Sequence, residues 1–304
     1  MFVADHFVIL DGNALVHRSF HALPPLTNKK GEPTGAIYGF FLVLMKILAE
    51  EKPKYLAATF DLKGPTLRHK KYKEYKAKRV KAPDELYVQF EPIKQLLRLF
   101  GIPIYEKQDY EADDVIGTLA RLAKETPEQP IVDIVTGDLD TLQLVNEKTR
   151  VLAFVRGTKE TNIYDEQAVE ARYGLKPEQI VDYKALHGDA SDNIPGVAGI
   201  GAKSASNLLA QYGSLENIYL HLAEVKESWR KKLTENKEMA FLSKELVTID
   251  QAVPLEFKLT DCQLGRRGDF AAIKRGFAEL NFATLNKRLQ QIGEQYFPKQ
   301  ETLF

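Results

Sequence analysis

The chain has 304 residues, 42 Lys+Arg balanced by 42 Asp+Glu, 44% hydrophobic and 28% charged residues, and a single cysteine. That length accommodates one large domain or two of moderate size, and the composition excludes a disordered chain. Cys262 has no partner for an internal disulfide, which excludes a disulfide-stapled secreted fold and fits a reducing cytoplasm. Met1–Leu10 has no basic leader region and carries Asp5 early, so no signal peptide is expected. The most apolar run, Ile37–Ala49, contains Lys46 and is shorter than the roughly 20 residues needed to cross a bilayer.

In chain order, Phe7–Leu10 reads as a strand ending in Asp11, Ile37–Glu50 as a buried helix, and Tyr55–Phe60 as a strand ending in Asp61. Gln89–Phe100 is an amphipathic helix stopped by Gly101, followed by a short strand at Ile102–Tyr105 and a helix at Ala112–Lys124. Val132–Thr136 is a strand ending in Gly137-Asp138, and Thr149–Phe154 and Asn162–Tyr164 add further strands. This alternation predicts an α/β fold, a mostly parallel twisted sheet covered by helices. Such sheets bind ligands outside the carboxyl ends of their strands, where Asp11, Asp61 and Asp138 fall. From about Val181 helical patterns take over: Leu208–Tyr212, Leu215–Leu222, Lys237–Ile249, Phe270–Leu280 and Leu285–Ile292. The expected organisation is an α/β core over 1–182, a helical region over 183–292 and a tail over 293–304.

The acids are clustered. Asp11 and Asp61 stand at strand ends; Glu111, Asp113 and Asp114 open a helix; Asp138 and Asp140 follow a strand; Asp189 and Asp192 lie in G-D-A-S-D-N. Spacing predicts that Glu111 and Asp114 share a helix face, that Asp138 and Asp140 project together from extended chain, and that Asp189 and Asp192 form a helical i, i+3 pair. Each cluster alone is explained by helix-dipole or turn preferences. Four segments converging on one crevice are not, because their repulsion calls for cations. Oxygen-only ligands suit Mg²⁺ or Mn²⁺, and two such ions clamp the attacking and leaving oxygens of a phosphodiester.

The neutral total conceals a basic block. Between Lys63 and Lys81 nine Lys/Arg stand against Glu74 alone. If this segment is helical, Arg68, Tyr72, Lys76 and Arg79 form one stripe of cations and rings suited to a single nucleic-acid strand. Further on, Pro195-Gly196-Val197-Ala198-Gly199-Ile200-Gly201-Ala202-Lys203 precedes a helix. Glycines there leave backbone N–H groups open to a phosphate, as in a helix-hairpin-helix that grips duplex backbone without reading sequence.

These residues carry a resemblance. L-D-G-N-A, F-D-L-K-G-P-T-L-R, Y-E-A-D-D-V-I-G-T-L-A, T-G-D-L-D and G-D-A-S-D-N-I-P-G-V-A-G-I-G-A-K, in that order between about Val8 and Leu289, resemble the 5′ nuclease (5′→3′ exonuclease and flap endonuclease) domain of bacterial DNA polymerase I, within the flap-endonuclease family. The resemblance implies the PIN-like 5′-nuclease fold, with a helical arch over 63–90 and a helix-3-turn-helix region. It implies a two-metal phosphodiesterase acting at single-strand/duplex junctions in replication and repair, including removal of RNA primers. Asp11, Asp61, Glu111 and Asp113 would hold one ion; Asp113 with Asp138, Asp140, Asp189 and Asp192 would serve the second, with Asp114 in the same pool. Arg18 and Arg68 would stand near the scissile phosphate, Lys76 and Arg79 would contact the 5′ strand, and Gly199, Gly201 and Lys203 would bind duplex, with K⁺ on the hairpin carbonyls.

Two positions depart from the family pattern: His17 replaces a Tyr on which a base would stack, and Leu139 replaces a basic residue within G-D-x-D. No metal ligand is missing, so a fully active enzyme is expected, monomeric and located in the bacterial cytoplasm at the nucleoid. The terminal Gln300-Glu301-Thr302-Leu303-Phe304 resembles a peptide that docks on the sliding clamp. Two other readings remain open from the residues: an RNA-directed nuclease of related fold, and a non-catalytic DNA-binding or clamp-recruitment module.

Overall fold

Phe7–Leu10 lies at the centre of a six-stranded sheet, in register with Tyr55–Ala58 on one side and Val132–Val135 on the other. The computed structural model describes residues 5–156 and 160–297, so the tail Gln300–Phe304 lies outside the described residues. The strands are β1 (His6–Asp11), β2 (Tyr55–Thr59), β3 (Ile104–Tyr105), β4 (Ile131–Thr136), β5 (Thr149–Arg156) and β6 (Glu160–Tyr164). Their order is β3-β2-β1-β4-β5-β6, with every pairing parallel except β5–β6. The strand order reverses between β1 and β4, and a sheet of this kind opens its ligand crevice at that switch point.

The helices are α1 (Gly12–Ala22), α2 (Gly35–Glu50), α3 (Leu67–Lys71), α4 (Asp84–Tyr87), α5 (Phe90–Leu99), α6 (Ala112–Lys124), α7 (Glu166–Tyr173), α8 (Ile180–His187), α9 (Ala202–Tyr212), α10 (Leu215–Leu220), α11 (Glu227–Glu235), α12 (Lys237–Val247), α13 (Phe270–Glu279) and α14 (Ala283–Tyr296). Alternation along the strands divides the core in two. Val8, Leu10, Leu56, Ala58 and Val135 face α2, α5, α13 and α14, whereas Phe7, Ile9, Ala57, Val132 and Ile134 face α6 and α7. Both faces are covered, as an all-parallel sheet centre requires. Helices α8 to α12 enclose a third core around Leu186, Ile200, Leu208 and Leu233.

Segment 63–90 departs from the expected arch helix. Only α3 and α4 are α-helical between Lys63 and Gln89, separated largely by turns, so Arg68, Tyr72, Lys76 and Arg79 do not share one helical stripe. Lys76 adopts a left-handed backbone with φ 55°, which no continuous right-handed helix contains. Its N–H bonds to the Asp192 carbonyl at 2.8 Å, and Asn193 Nδ2 donates to the Glu74 carbonyl at 2.7 Å, tying the basic segment to the G-D-A-S-D-N turn.

Candidate active site

Two local devices bring the first acids together. Asp11 ends β1 and caps α1, its Oδ1 accepting from the Ala14 N–H at 3.0 Å. Gly12 then admits the Phe60 ring, which a Cβ at that position would meet at 2.4 Å, so the ends of β1 and β2 close on each other. Asn13 fastens the junction: its amide donates to Asp61 Oδ2 at 2.8 Å and its carbonyl oxygen accepts from the Asp61 N–H at 3.0 Å. Asp61 Oδ1 in turn accepts from the Ala112 N–H at 2.7 Å, docking the start of α6 on β2.

Asp11, Asp61, Glu111, Asp113 and Asp138 line one cleft of about 220 Å³, together with Asn13, His17, Lys76 and Arg79. Asp11 is almost fully buried, and burial, with Asp138 and Asp61 nearby, pushes its carboxyl up to about 7 against the restraint of bonds from Thr136 and Ala14. Asp113 is pushed well above the usual carboxylate range by burial, then by Asp138 and Asp11. Three of these acids also cap or flank helix starts, so the local helix preference and the convergence on one cleft are served by the same residues.

Cations reach in from the basic segment. Lys76 Nζ is 2.9 Å from Glu111 Oε1 and 3.8 Å from Asp192 Oδ2, and Arg79 Nη2 is 2.5 Å from Asp192 Oδ1. Burial pulls the Lys76 pKa down, Glu111 and Asp192 push it up, and the acids prevail. The buried Tyr75 hydroxyl joins Glu111 (3.0 Å) to Asp192 (3.1 Å). Arg18 lies along Gly137, next to Asp138. His17 meets Phe90 edge-on, and burial, with His21 and Arg79, lowers its pKa.

Five expected site residues stand elsewhere. Asp138 caps a 3-10 turn at Leu139–Leu144 instead of continuing an extended chain, so Asp140 diverges from it and pairs with Lys184. Asp189 and Asp192 lie in a turn closed by the Asp189–Ile194 bridge, not on a helix; Asp189 bonds Lys184 at 2.7 Å, whereas Asp192 bonds Tyr75 and Arg79. Burial opposes ionisation of Asp189, but Lys184 and Ser191 hold its pKa down to about 2. Asp114 is turned from the cleft and holds Arg68, whose guanidinium also donates to the Leu246 and Thr248 carbonyls at 2.8 and 2.7 Å. Arg68 therefore lines a neighbouring groove with Lys71, Glu245 and Asp250, touching the acid cleft only through Glu111 Oε2, 3.5 Å from its Nη1. Tyr72 packs against the Tyr75–Ile194–Leu246–Val247 cluster instead of presenting its ring for stacking.

Sequence reasoning missed Lys184, Tyr75, Asn13 and Thr136. The signal for Lys184 was its place in the last turn of α8, five residues before Asp189; the others are neutral groups whose partners are distant in sequence. At the hairpin, Gly199 has φ +78°, Gly201 caps α9 without a side-chain bond, and Lys203 is exposed.

Among the described residues, one His/Cys/Asp/Glu group has donor atoms all within 4.8 Å of each other: His6, Glu51 and Asp133, at the opposite end of β1 from Asp11. Its charge is already met. His6 Nδ1 lies 2.6 Å from Asp133 Oδ2, and Arg150 pairs with Asp133 at 2.8 Å and Glu51 at 3.6 Å. The acid cleft suits Mg²⁺ or Mn²⁺ by donor type, being lined by carboxylate oxygens without His or Cys donors at the acids' ends, although no three of its acids bring ligand oxygens within 4.8 Å of one another.

Residues 6–174 match the 5′-3′ exonuclease N-terminal resolvase-like domain, and residues 175–269 the 5′-3′ exonuclease C-terminal SAM fold. The chain is 45% identical over 284 residues to DNA polymerase I of Caldicellulosiruptor bescii, a match covering 93% of this chain and 33% of that protein. It is 39% identical over 296 residues to a 5′-3′ exonuclease of Aquifex aeolicus, covering 97% of this chain and 98% of that one. It thus spans about a third of the polymerase relative and nearly all of the Aquifex protein. The fold is similar to that of the bacteriophage T5 flap endonuclease in a complex with DNA and metal ions, with TM-score 0.65 and 19% identity over 95% of this chain and 98% of that one. A mostly parallel sheet followed by a SAM-type helical unit is the architecture this chain shares with the 5′-3′ exonucleases. The chain belongs to the 5′-3′ exonuclease family and is an enzyme of that type. No helix among the described residues is long and apolar enough to cross a membrane.

Proposed function

We propose that this protein is a structure-selective 5′ nuclease that hydrolyses DNA phosphodiesters with Mg²⁺ or Mn²⁺, removing 5′ flaps and RNA primers in replication and repair. The observation that carries this reading is the convergence of Asp11, Asp61, Glu111, Asp113 and Asp138 on one cleft beneath Lys76 and Arg79. Asp11, Asp61, Glu111 and Asp113 would hold one cation; Asp113 and Asp138 would hold a second, while Asp140 and Asp189, paired with Lys184, and Asp192, paired with Arg79, stand behind them. Divalent cations bound there supply Lewis acidity to a phosphodiester and a water.

The chain's own groups do the rest. Asn13 and Thr136 orient Asp61 and Asp11 by hydrogen bonds, and the carboxylates would draw closer together to receive a cation. Lys76 and Arg79 offset the negative charge of the approaching strand. Lys184 restrains Asp140 and Asp189. The core of residues 1–182 would carry the chemistry and the helical region of 183–292 the duplex, through the N–H groups of the Gly199–Lys203 hairpin. Helices α13 and α14, although within that second region, belong through Phe277 and Leu289 to the hydrophobic core of the α/β part.

The test is a cleavage map on 5′-flap, nicked, blunt and single-stranded DNA, with Mg²⁺ and with Mn²⁺, beside matched flaps of RNA. Cleavage at the flap junction, abolished by EDTA and by Asp113→Asn, is expected. Unchanged activity in Asp113→Asn would remove the site, and a preference for an all-RNA duplex would make the enzyme a ribonuclease. Deleting Gln300–Phe304 is expected to abolish sliding-clamp binding; unchanged binding would end the clamp proposal.

A further inference from the structure

The family resemblance places a K⁺ ion on the carbonyls of the hairpin between α8 and α9, and the residues of this chain do not fit one. Lys232, on α11, donates from Nζ to the Gly199 carbonyl at 2.8 Å. Its stem lies directly over Gly199: a Cβ there would meet Nζ at 2.9 Å, Cε at 3.0 Å and Cδ at 3.3 Å. Glycine suits this position for its left-handed φ of +78°, and its bare Cα lets the lysine lie close. Two further hairpin carbonyls are engaged, Val197 O by the Ile200 N–H and Gly201 O by the Ala205 N–H, each at 3.0 Å. A K⁺ ion placed on Gly199 O would stand against a fixed like charge in contact distance.

An ammonium matches K⁺ in charge and closely in size, and it carries three N–H donors. One is spent on Gly199 O, and the charge sits beside the N-terminus of α9, an 11-residue helix whose cap, Gly201, is exposed and offers no side-chain bond to the first N–H groups. The exposed Lys203 stands in that first turn. The hairpin therefore already holds a monovalent cation, tethered from another helix. We propose that Lys232 takes the place of K⁺ in this protein, so that the hairpin grips a duplex phosphate without a bound alkali ion. The inference rests on the reading of the hairpin as the duplex-binding element.

The test is fluorescence anisotropy of the whole chain on a 5′-flap duplex in EDTA, at equal ionic strength in KCl and in tetramethylammonium chloride. The wild type is expected to bind equally in the two salts. Lys232→Gln is expected to lose about tenfold in tetramethylammonium, on the scale of one charge-assisted hydrogen bond, and to regain part of this in KCl. Its salt slope should fall by about 0.9, one phosphate contact fewer. Marked weakening of the wild type when K⁺ is withdrawn overturns the inference, as does wild-type binding by Lys232→Gln in both salts. Lys203→Ala separates the two levels: weakened binding there with none in Lys232→Gln removes only the lysine's role, whereas no effect in either variant removes the hairpin as the duplex site.

Discussion

Arg68 and Asp114 face each other as a two-pronged ion pair, both N···O distances 2.7 Å, with the Asp114 side chain 2% and the Arg68 side chain 12% exposed. The pair joins three segments: α3 through Arg68, α6 through Asp114, and the end of α12 through the Leu246 and Thr248 carbonyls. Arg68 is thereby a clamp holding the basic segment on the core. Arg68→Ala leaves the Asp114 carboxylate buried with only the Glu111 and Asp250 N–H groups, and is expected to destabilise by about 3–5 kcal/mol. The double variant with Asp114→Asn should lose less than the sum of the two single changes. Urea unfolding in EDTA measures both. Unchanged stability with a collapsed cleavage rate would instead return Arg68 to the scissile phosphate.

The buried acids make metal-free stability depend on pH. Asp11 ionises near 3.8 in an unfolded chain and about 7 in the folded one, and Asp140 likewise rises to about 7 through burial and Asp138 despite Lys184. Between those values the folded protein keeps protons the unfolded chain has released, so stability falls as pH rises from about 4 to about 7. Divalent cations bind the ionised set, so the rise in Tm on adding Mg²⁺ should grow between pH 6 and pH 8. At a concentration a hundred times Kd the added stability is about 2.7 kcal/mol. Thermal scans in EDTA and Mg²⁺ across that range decide it; coincident melting at pH 8 would show that the cleft binds no cation.

Much of this was legible in the sequence where one chemical signal dominated. The strands around Phe7–Leu10, Tyr55–Thr59 and Ile131–Thr136 are short apolar runs, and α6 was expected with the bounds the structure gives it. Helices α1, α7 and α11 were not anticipated. Of these, α7 buries Val169 alone and α11 Leu233 alone, too little to print a helical stripe, and α1 opens on Gly12 for the sake of Phe60. At the site, the strand-end acids were readable because the sheet dictates where they go. Asp114 and Asp140 were not, because each is turned by a cation far off in sequence (Arg68 or Lys184) of which local spacing holds no record, whereas Asp189 is turned by Lys184 only five residues before it.

The far end of β1 offers a control titration away from the cleft. A hydrogen bond from His6 to Asp133 raises the His6 pKa above 6.5, against burial and Arg150. Because the folded value exceeds the unfolded one, the stabilisation is fully present below about 6.5 and is lost as pH rises through the folded value. In EDTA, the Tm gap between wild type and His6→Gln should therefore be widest near pH 6 and narrow towards pH 9. A gap that widens with pH would mean that His6 is bound in its neutral form.

Lys76 combines two features that substitution can separate. Its ammonium lies 2.9 Å from Glu111, and its backbone is held left-handed at φ 55° by the bond to the Asp192 carbonyl. Lys76→Ala removes the charge and leaves a Cβ in that conformation, whereas Lys76→Gly removes both. Since a side chain in the left-handed region costs about 1–2 kcal/mol and glycine's extra unfolded-state freedom returns part of it, the Gly variant should be the more stable by about 1 kcal/mol. Both should lose cleavage rate at saturating substrate to the same degree, because the ammonium is gone in each. Equal stabilities would show that Asp192 imposes no strain on the backbone. Unequal cleavage rates would show that the twist at this residue, rather than its charge, positions the 5′ strand.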